Sequence, residues 1–278
     1  MVRWLGVLLV VGGLVYSTSS PSEASEKGQI GLAMVALAKE QIPSADEILR
    51  YVNTKWPNTR PFTKASVEND TIIFNGDDGE IAFVSLMPAP IPATDIEYPC
   101  ETAFYWPEAC AEFGKSVAHA IVSVMAVSND DPVDTLMRTT MLTQAVSQLA
   151  GGLGIYWGQG DLVDRPDIFA KLALSMSHEE PPLLLWIGVK FNKEKDGLLS
   201  CVTRGLEQFG FANVEIQREK VEPGFAYDFV GNVAEYLVKN GAVIKDGDTV
   251  GESNEQRITV RMAPSIVDPE KTVYRLDF

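Results

Sequence analysis

The sequence predicts an α+β fold in which mixed or antiparallel sheets are covered by helices. Apolar runs of strand length alternate along the chain with amphipathic stretches of helical spacing. Both predicted hairpins turn on an acid followed by glycine, Asp78-Gly79 and Asp196-Gly197. The first half reads strand, helix, strand, strand, helix, strand, the order of a ferredoxin-like split βαβ unit, and the second half partly repeats it.

With 278 residues, 46% hydrophobic and 22% charged, the chain can bury a sizeable core, and 22 glycines and 16 prolines are ordinary globular usage. Disorder, collagen and coiled coil are excluded. Lys and Arg number 23 against 38 Asp and Glu, a formal net charge of -15 with no basic cluster, so a phosphate backbone would be repelled and nucleic acid is not an expected partner. At the N-terminus Arg3 precedes an apolar run over 4–16, of signal-core length and short of the roughly 20 residues that span a bilayer. Ser22 and Ala24 are the small residues a signal peptidase accepts. Residues 1–24 therefore read as a cleaved export signal, with an uncleaved membrane anchor over 4–17 as the alternative, followed by a short linker, 25–29. Either reading puts the protein outside the cytoplasm, in periplasm or medium or at the membrane. A first α+β half, 30–150, and a second, 151–278, follow without a Ser/Gly linker, as two lobes in firm contact would.

The elements follow in order. Residues 30–38 are a near-continuous apolar run of strand length, and Ser44 with Glu47 forms a capping box that opens a helix over 45–55. Strands over 71–74 and 80–87 flank a turn at 75–79, and Pro88, Pro90 and Pro92 close the edge after it. Trp106-Pro107-Glu108 opens a short helix to Phe113, and 117–127 is the most strand-like segment. Asp131-Pro132 caps a long helix that Gly151-Gly152 ends. In the second half come a strand over 154–157, a helix over 166–176, a hairpin of 183–191 with 198–203, and a strand over 213–218. A helix over 226–239 stops at Gly241, and strands over 258–262 and 273–276 finish the chain.

Chemistry is harder to find. The glycines from Gly151 to Gly160 leave a helix and enter a strand, the reverse of a phosphate-binding loop, so they read as a helix stop and tight turn. No Walker loop, G-x-S-x-G elbow or zinc spacing occurs, and neither metal nor cofactor is expected. Asp246-Gly247-Asp248 and 77–80 are acidic turns without the order of an EF-hand. A Ser-His-Asp or Cys-His site would need His119 or His178, the two histidines. His119, inside an apolar strand, is expected to be a core histidine and is the weak catalytic candidate, while His178 sits in a polar loop. Cys100, Cys110 and Cys201 allow at most one internal disulfide; buried free thiols are the expected state, and a Cys100–Cys110 bridge is the alternative that export permits. The most unusual stretch is 95–108, where aromatics and carboxylates interleave in a predicted loop. Either Phe104 and Trp106 pack beneath the sheet with the acids in water, or the stretch walls an acidic aromatic cleft for a cation, a sugar or a basic partner. The second reading makes Tyr98, Glu101, Tyr105, Trp106 and Glu108 candidate binding residues, with Tyr156 and Trp157 sharing the wall.

Several separated motifs carry a resemblance. Residues 86–92 (LMPAPIP), 105–109 (YWPEA) and 118–124 (AHAIVSV), then 154–158 (GIYWG), 245–251 (KDGDTVG), 263–269 (APSIVDP) and 273–276 (VYRL), occur in the order of a bacterial family known as domain of unknown function 4261, which the chain resembles over about residues 30–278. The resemblance implies no activity. The functional expectation is thus a non-enzymatic binding or interaction module with an acidic surface, whose partner is a protein or a small cationic ligand, and which meets a membrane only through an uncleaved N-terminal segment. Two alternatives stand beside it: a hydrolase using His119 with a nearby carboxylate or Cys, and an immunity- or chaperone-like partner of another secreted protein. The last predicts a large exposed patch instead of a pocket.

Overall fold

A computed structural model describes residues 30–76, 79–126, 131–193, 195–253 and 255–278; the leader 1–24 and the linker 25–29 lie outside them. The chain runs β1 (Ile30–Leu37), α1 (Ala45–Lys55), β2 (Lys64–Glu68), β3 (Thr71–Asn75), β4 (Ile81–Met87), α2 (Ala93–Glu101), α3 (Ala109–Phe113), β5 (Ala118–Met125), α4 (Pro132–Ala150), β6 (Gly154–Trp157), β7 (Leu162–Asp164) and α5 (Pro166–Ser175). It continues with β8 (Gly188–Lys193), β9 (Leu199–Arg204), β10 (Val214–Glu219), α6 (Pro223–Asn240), β11 (Thr249–Val250), β12 (Ile258–Pro264) and β13 (Thr272–Asp277). This is the α+β class that the sequence predicts. Seven strands form one sheet, in the order β2-β3-β4-β5-β1-β6-β7, and six form the other, β11-β12-β13-β10-β9-β8.

Strand order departs from a split βαβ unit, in which the first and third strands are parallel neighbours. Here β4 and β1 do run parallel, but β5 is inserted between them and is antiparallel to both. Its sequence suits that place, because Ala118, His119, Ala120, Val122 and Val124 are buried, and the other edge of β1 is already taken by β6. The first sheet is antiparallel throughout, whereas β10 and β13 pair in parallel in the second, so the halves share element types and not topology. Strands β6 and β7, beyond residue 150, complete the first sheet, and a continuous core joins residues of both sheets.

The caps behave as their residues dictate. Ser44 and Glu47 exchange the two bonds of a capping box at α1, Asp131 accepts from the Val133 N–H at α4, and Gly151 ends α4 at a φ of 68°. α4 is buried along most of its length, although it carries Thr135, Arg138, Thr139, Thr140, Thr143 and Gln144. Thr139, Thr140 and Thr143 donate to the carbonyls four residues back, at 2.8, 2.8 and 2.7 Å, which is how a hydroxyl-rich helix enters a core. Alternate residues of β1, β3, β4 and β5, from Ala33 and Val35 to Phe74 and Val84, face this layer. On the second sheet, α6 lays Phe229, Val230, Val233 and Leu237 over β8, β9 and β10.

The opposite face of the first sheet is covered at one end only, by α2 on β7 and α3 on β6. Away from that end Leu32, Ile73, Phe83 and Ile121 are half-buried, and Ile30 and Met125 are exposed. Residues 183–187, predicted as strand, instead contain a 3-10 turn at Leu183–Leu185, and β8 begins at Gly188.

Candidate functional site

The segment 93–113 is not the expected loop into one helix but two short helices, α2 and α3. The Cys100–Cys110 disulfide staples them, so these two cysteines are not the free thiols expected of them. Beneath the staple lies a second small core in which Cys100, Ala103, Trp106, Ala109 and Phe113 meet Ala36, Ile91, Tyr156 and Val163, with the Trp106 and Phe113 rings 5.8 Å apart. Trp106 and Tyr156 therefore anchor the segment and wall no cleft. Trp157, the next residue of β6, points to the opposite face, where Nε1 donates to Gln208 Oε1 at 3.2 Å and the ring lies 6.3 Å from Trp186. An open wall shared by Trp106, Tyr156 and Trp157 does not form, because β6 sends successive side chains to opposite faces.

What the anchor holds up is a ledge. Phe104, expected beneath the sheet if the acids were merely solvated, is 65% exposed, beside Tyr105 at 45% and Tyr98 at 50%. The Phe104 ring meets the edges of Tyr105 and Tyr227 at 5.6 and 5.7 Å, and Tyr227 of α6 stacks on Phe191 of β8 at 6.4 Å. The row thus crosses from the first sheet's helices to the second sheet. Glu101 ends α2, Glu108 stands at the start of α3, and both are exposed at the rim.

Under the ledge sit buried charges that sequence reading missed. Lys190 of β8 is buried; its Nζ donates to Thr102 Oγ1 at 3.0 Å, lies 5.0 Å above the Tyr98 ring and is 3.8 Å from Asp161 Oδ2. Burial pulls its pKa below the usual lysine value, and Asp161 works against that pull. Burial likewise raises the Asp161 carboxyl, with Lys190 and Arg204 opposing. Asp164 of β7 is also buried, and desolvation pushes its pKa up to about 7, opposed only by a bond with Tyr105. The Tyr105 hydroxyl reaches the Val163 carbonyl and lies 3.1 Å from Asp164 Oδ1, while Asp164 Oδ2 has no partner. Lys190 and Asp164 were invisible because alternation along β7 and β8 does not say which charged residue a remote helix will cover.

His119 is buried and its Nδ1 donates to the Ala89 carbonyl at 2.7 Å, tying the proline-rich exit of β4 to β5. Desolvation lowers its pKa. This is the bonded core histidine that its apolar strand predicts. His178 is exposed, and the 2.9 Å bond between Nε2 and Asp131 Oδ2 raises its pKa. Among the described residues no group of three or more His, Cys, Asp or Glu is placed to hold a metal ion.

Two grooves flank α6. One, of about 480 Å³, adjoins the ledge between α5 and α6, where Met176, Leu184, Ile187 and Tyr227 line it with Glu180 and Asp228. The other, about 820 Å³, lies between α6 and β11 against Phe229, Tyr236, Val243, Asp248 and Glu252. Neither is lined by His119. Residues 202–277 match the family model described as domain of unknown function (DUF4261). That segment runs from within β9 to β13, so it contributes Tyr227 to the ledge, while Tyr98, Phe104, Tyr105 and Lys190 lie outside it. No curated protein and no solved structure matches the chain.

Proposed function

We propose that this chain is a non-enzymatic binding module that acts outside the cytoplasm and grips a protein partner of basic surface through the aromatic ledge. The observation that carries this reading is Phe104, held 65% exposed in a row of rings by a disulfide-stapled pair of helices. An exposed ring on a rigid support contributes contact area at little entropic cost, which is the character of interface hot spots. The acids at the rim and the net charge of -15 favour a basic partner. The disulfide supports an oxidising compartment, in keeping with the leader over 1–24 as cleaved signal or as anchor over 4–17.

The half-buried apolar face over Leu32, Ile73, Phe83 and Ile121 favours one second reading, an immunity- or chaperone-like partner of another secreted protein, since it offers breadth instead of a pocket. The hydrolase reading draws less support: His119 spends Nδ1 on a backbone carbonyl, and Cys100 and Cys110 are joined.

A photo-crosslinking residue at position 104, compared with one at exposed Lys39, tests the ledge in the producing cells. A single discrete adduct from position 104, lost when Tyr98 and Tyr227 are also replaced by alanine, is the expected result. Equal and diffuse crosslinking from both positions would remove the ledge from consideration.

A further inference from the structure

Tyr105 has one proton and two oxygens to satisfy. Its hydroxyl donates to Asp164 Oδ1 at 3.1 Å and also reaches the Val163 carbonyl, so one proton serves two acceptors. Asp164 Oδ1 therefore receives at most a share of that proton. A neutral carboxylic acid tolerates that shortage where an anion would not. The remaining oxygen, Oδ2, is buried without any partner, which suits the neutral acid and not an anion.

We propose that Asp164 is a protonated carboxyl that latches Tyr105, and that its ionisation releases the segment 102–106 that carries Phe104. This regulates the same ledge and rests on that reading only for its biological use. Among the described residues no cation offsets a charge on Asp164. From the α2–α3 segment it meets Tyr105, and from α6 Tyr227, whose phenol is pushed up by burial first, then by Asp228 and Asp164. The cation nearest in β8, Lys190, is engaged with Thr102 and Asp161, and Arg165, next in sequence, pairs with Asp167 in solvent. The carboxyl's raised pKa, about 7, accords with this setting. An extracytoplasmic protein meets a variable pH, so a latch titrating there exposes or retracts the ring with the medium.

Hydrogen exchange of the full chain between pH 5 and 8, corrected for the intrinsic rate of each amide, tests the latch without needing any partner. The opening constant of amides 102–106 should rise by up to about tenfold per pH unit, the limit for one proton, until the folded pKa is reached and then level off. Amides of β1 serve as the reference and should keep their protection. Asp164→Asn keeps the shape and an acceptor for the phenol but cannot ionise, so its profile should be flat. Tyr105→Phe should leave 102–106 open even at pH 5. A wild-type profile that is flat, or a slope that survives in Asp164→Asn, overturns the latch whatever the fate of the ledge as a binding surface.

Discussion

Arg138 and Glu80 are among the few charged side chains in the core. Arg138 Nε lies 2.6 and 2.7 Å from the two Glu80 carboxylate oxygens, Nη1 donates to the Arg60 carbonyl, and the guanidinium sits 4.0 Å from the centre of the Phe62 ring. One residue of α4 thereby fastens the β3–β4 turn and the chain before β2. Breaking such a pair from one side leaves an uncompensated buried charge, whereas removing both charges spares that cost. Glu80→Gln should therefore lower stability by about 3–5 kcal/mol, and the double change to methionine by less. Urea midpoints at unchanged slope measure both. His119 acts at the same scale but through pH. Its folded pKa lies below 6.5, so the unfolded chain binds the proton better; its contribution is fully present above pH 6.5 and is lost as pH falls toward the folded value. The stability advantage of the native protein over His119→Gln should shrink steadily on acidification from pH 7 to 5. A constant difference across that range would mean that His119 does not titrate in this window.

Elements were legible where a local signal decides them. The capping box at Ser44, the Asp131 cap and the Gly151 and Gly241 stops place α1, α4 and α6 within a few residues, because each satisfies backbone groups that any helix leaves open. β2 escaped, being polar and at an edge, although its turn was written in the sequence: Asn69 and Asp70 both take positive φ, 46° and 60°, the two left-handed positions of a tight hairpin. α2 escaped because Pro99 breaks the pattern inside it. The α2–α3 pair owes its fixity to the disulfide, which closes a ten-residue separation. On the loop-entropy account that is worth about 2–3 kcal/mol. Reduction should cost that much in a denaturant titration and raise exchange throughout 93–113. Thiol counting checks the assignment directly. Cys201 is buried and its pKa is pushed up to about 12, so the native protein should show no reactive thiol, the unfolded protein one, and the unfolded and reduced protein three. One reactive thiol in the native state would argue that Cys201 is accessible, and three that the staple is open.

The ledge exists because two sheets meet, and that meeting is the part of the molecule least written in local pattern. Tyr98, Phe104 and Tyr105 ride on the first sheet, Lys190, Phe191 and Tyr227 on the second, and no periodicity within either reveals that they will touch. The junction itself is made by Gly160, which sequence reading took as part of a helix stop and tight turn, and by Gly188 and Gly205, which no sequence signal singled out. A Cβ on Gly160 would stand 2.5 Å from the Trp186 carbonyl oxygen, one on Gly205 at the same distance from that oxygen, and one on Gly188 would strike the Gly160 carbonyl. Backbone meets backbone there, with no flexible side chain to give way. Gly160→Ala should therefore force the sheets apart, at a cost at or above the roughly 1–3 kcal/mol of ordinary overpacking. It should also loosen Lys190 from Asp161, which lie within two residues of the contact. Gly231→Ala is the control: that glycine lies in α6 with nothing within 4 Å of the added carbon, so the change should stabilise by up to about 1 kcal/mol. Denaturant titration of the two variants separates the effects of backbone contact from those of glycine replacement as such. If Gly160→Ala proves as mild as Gly231→Ala, the sheets are not locked at this junction, and the ledge must then be held by its rings and its disulfide alone.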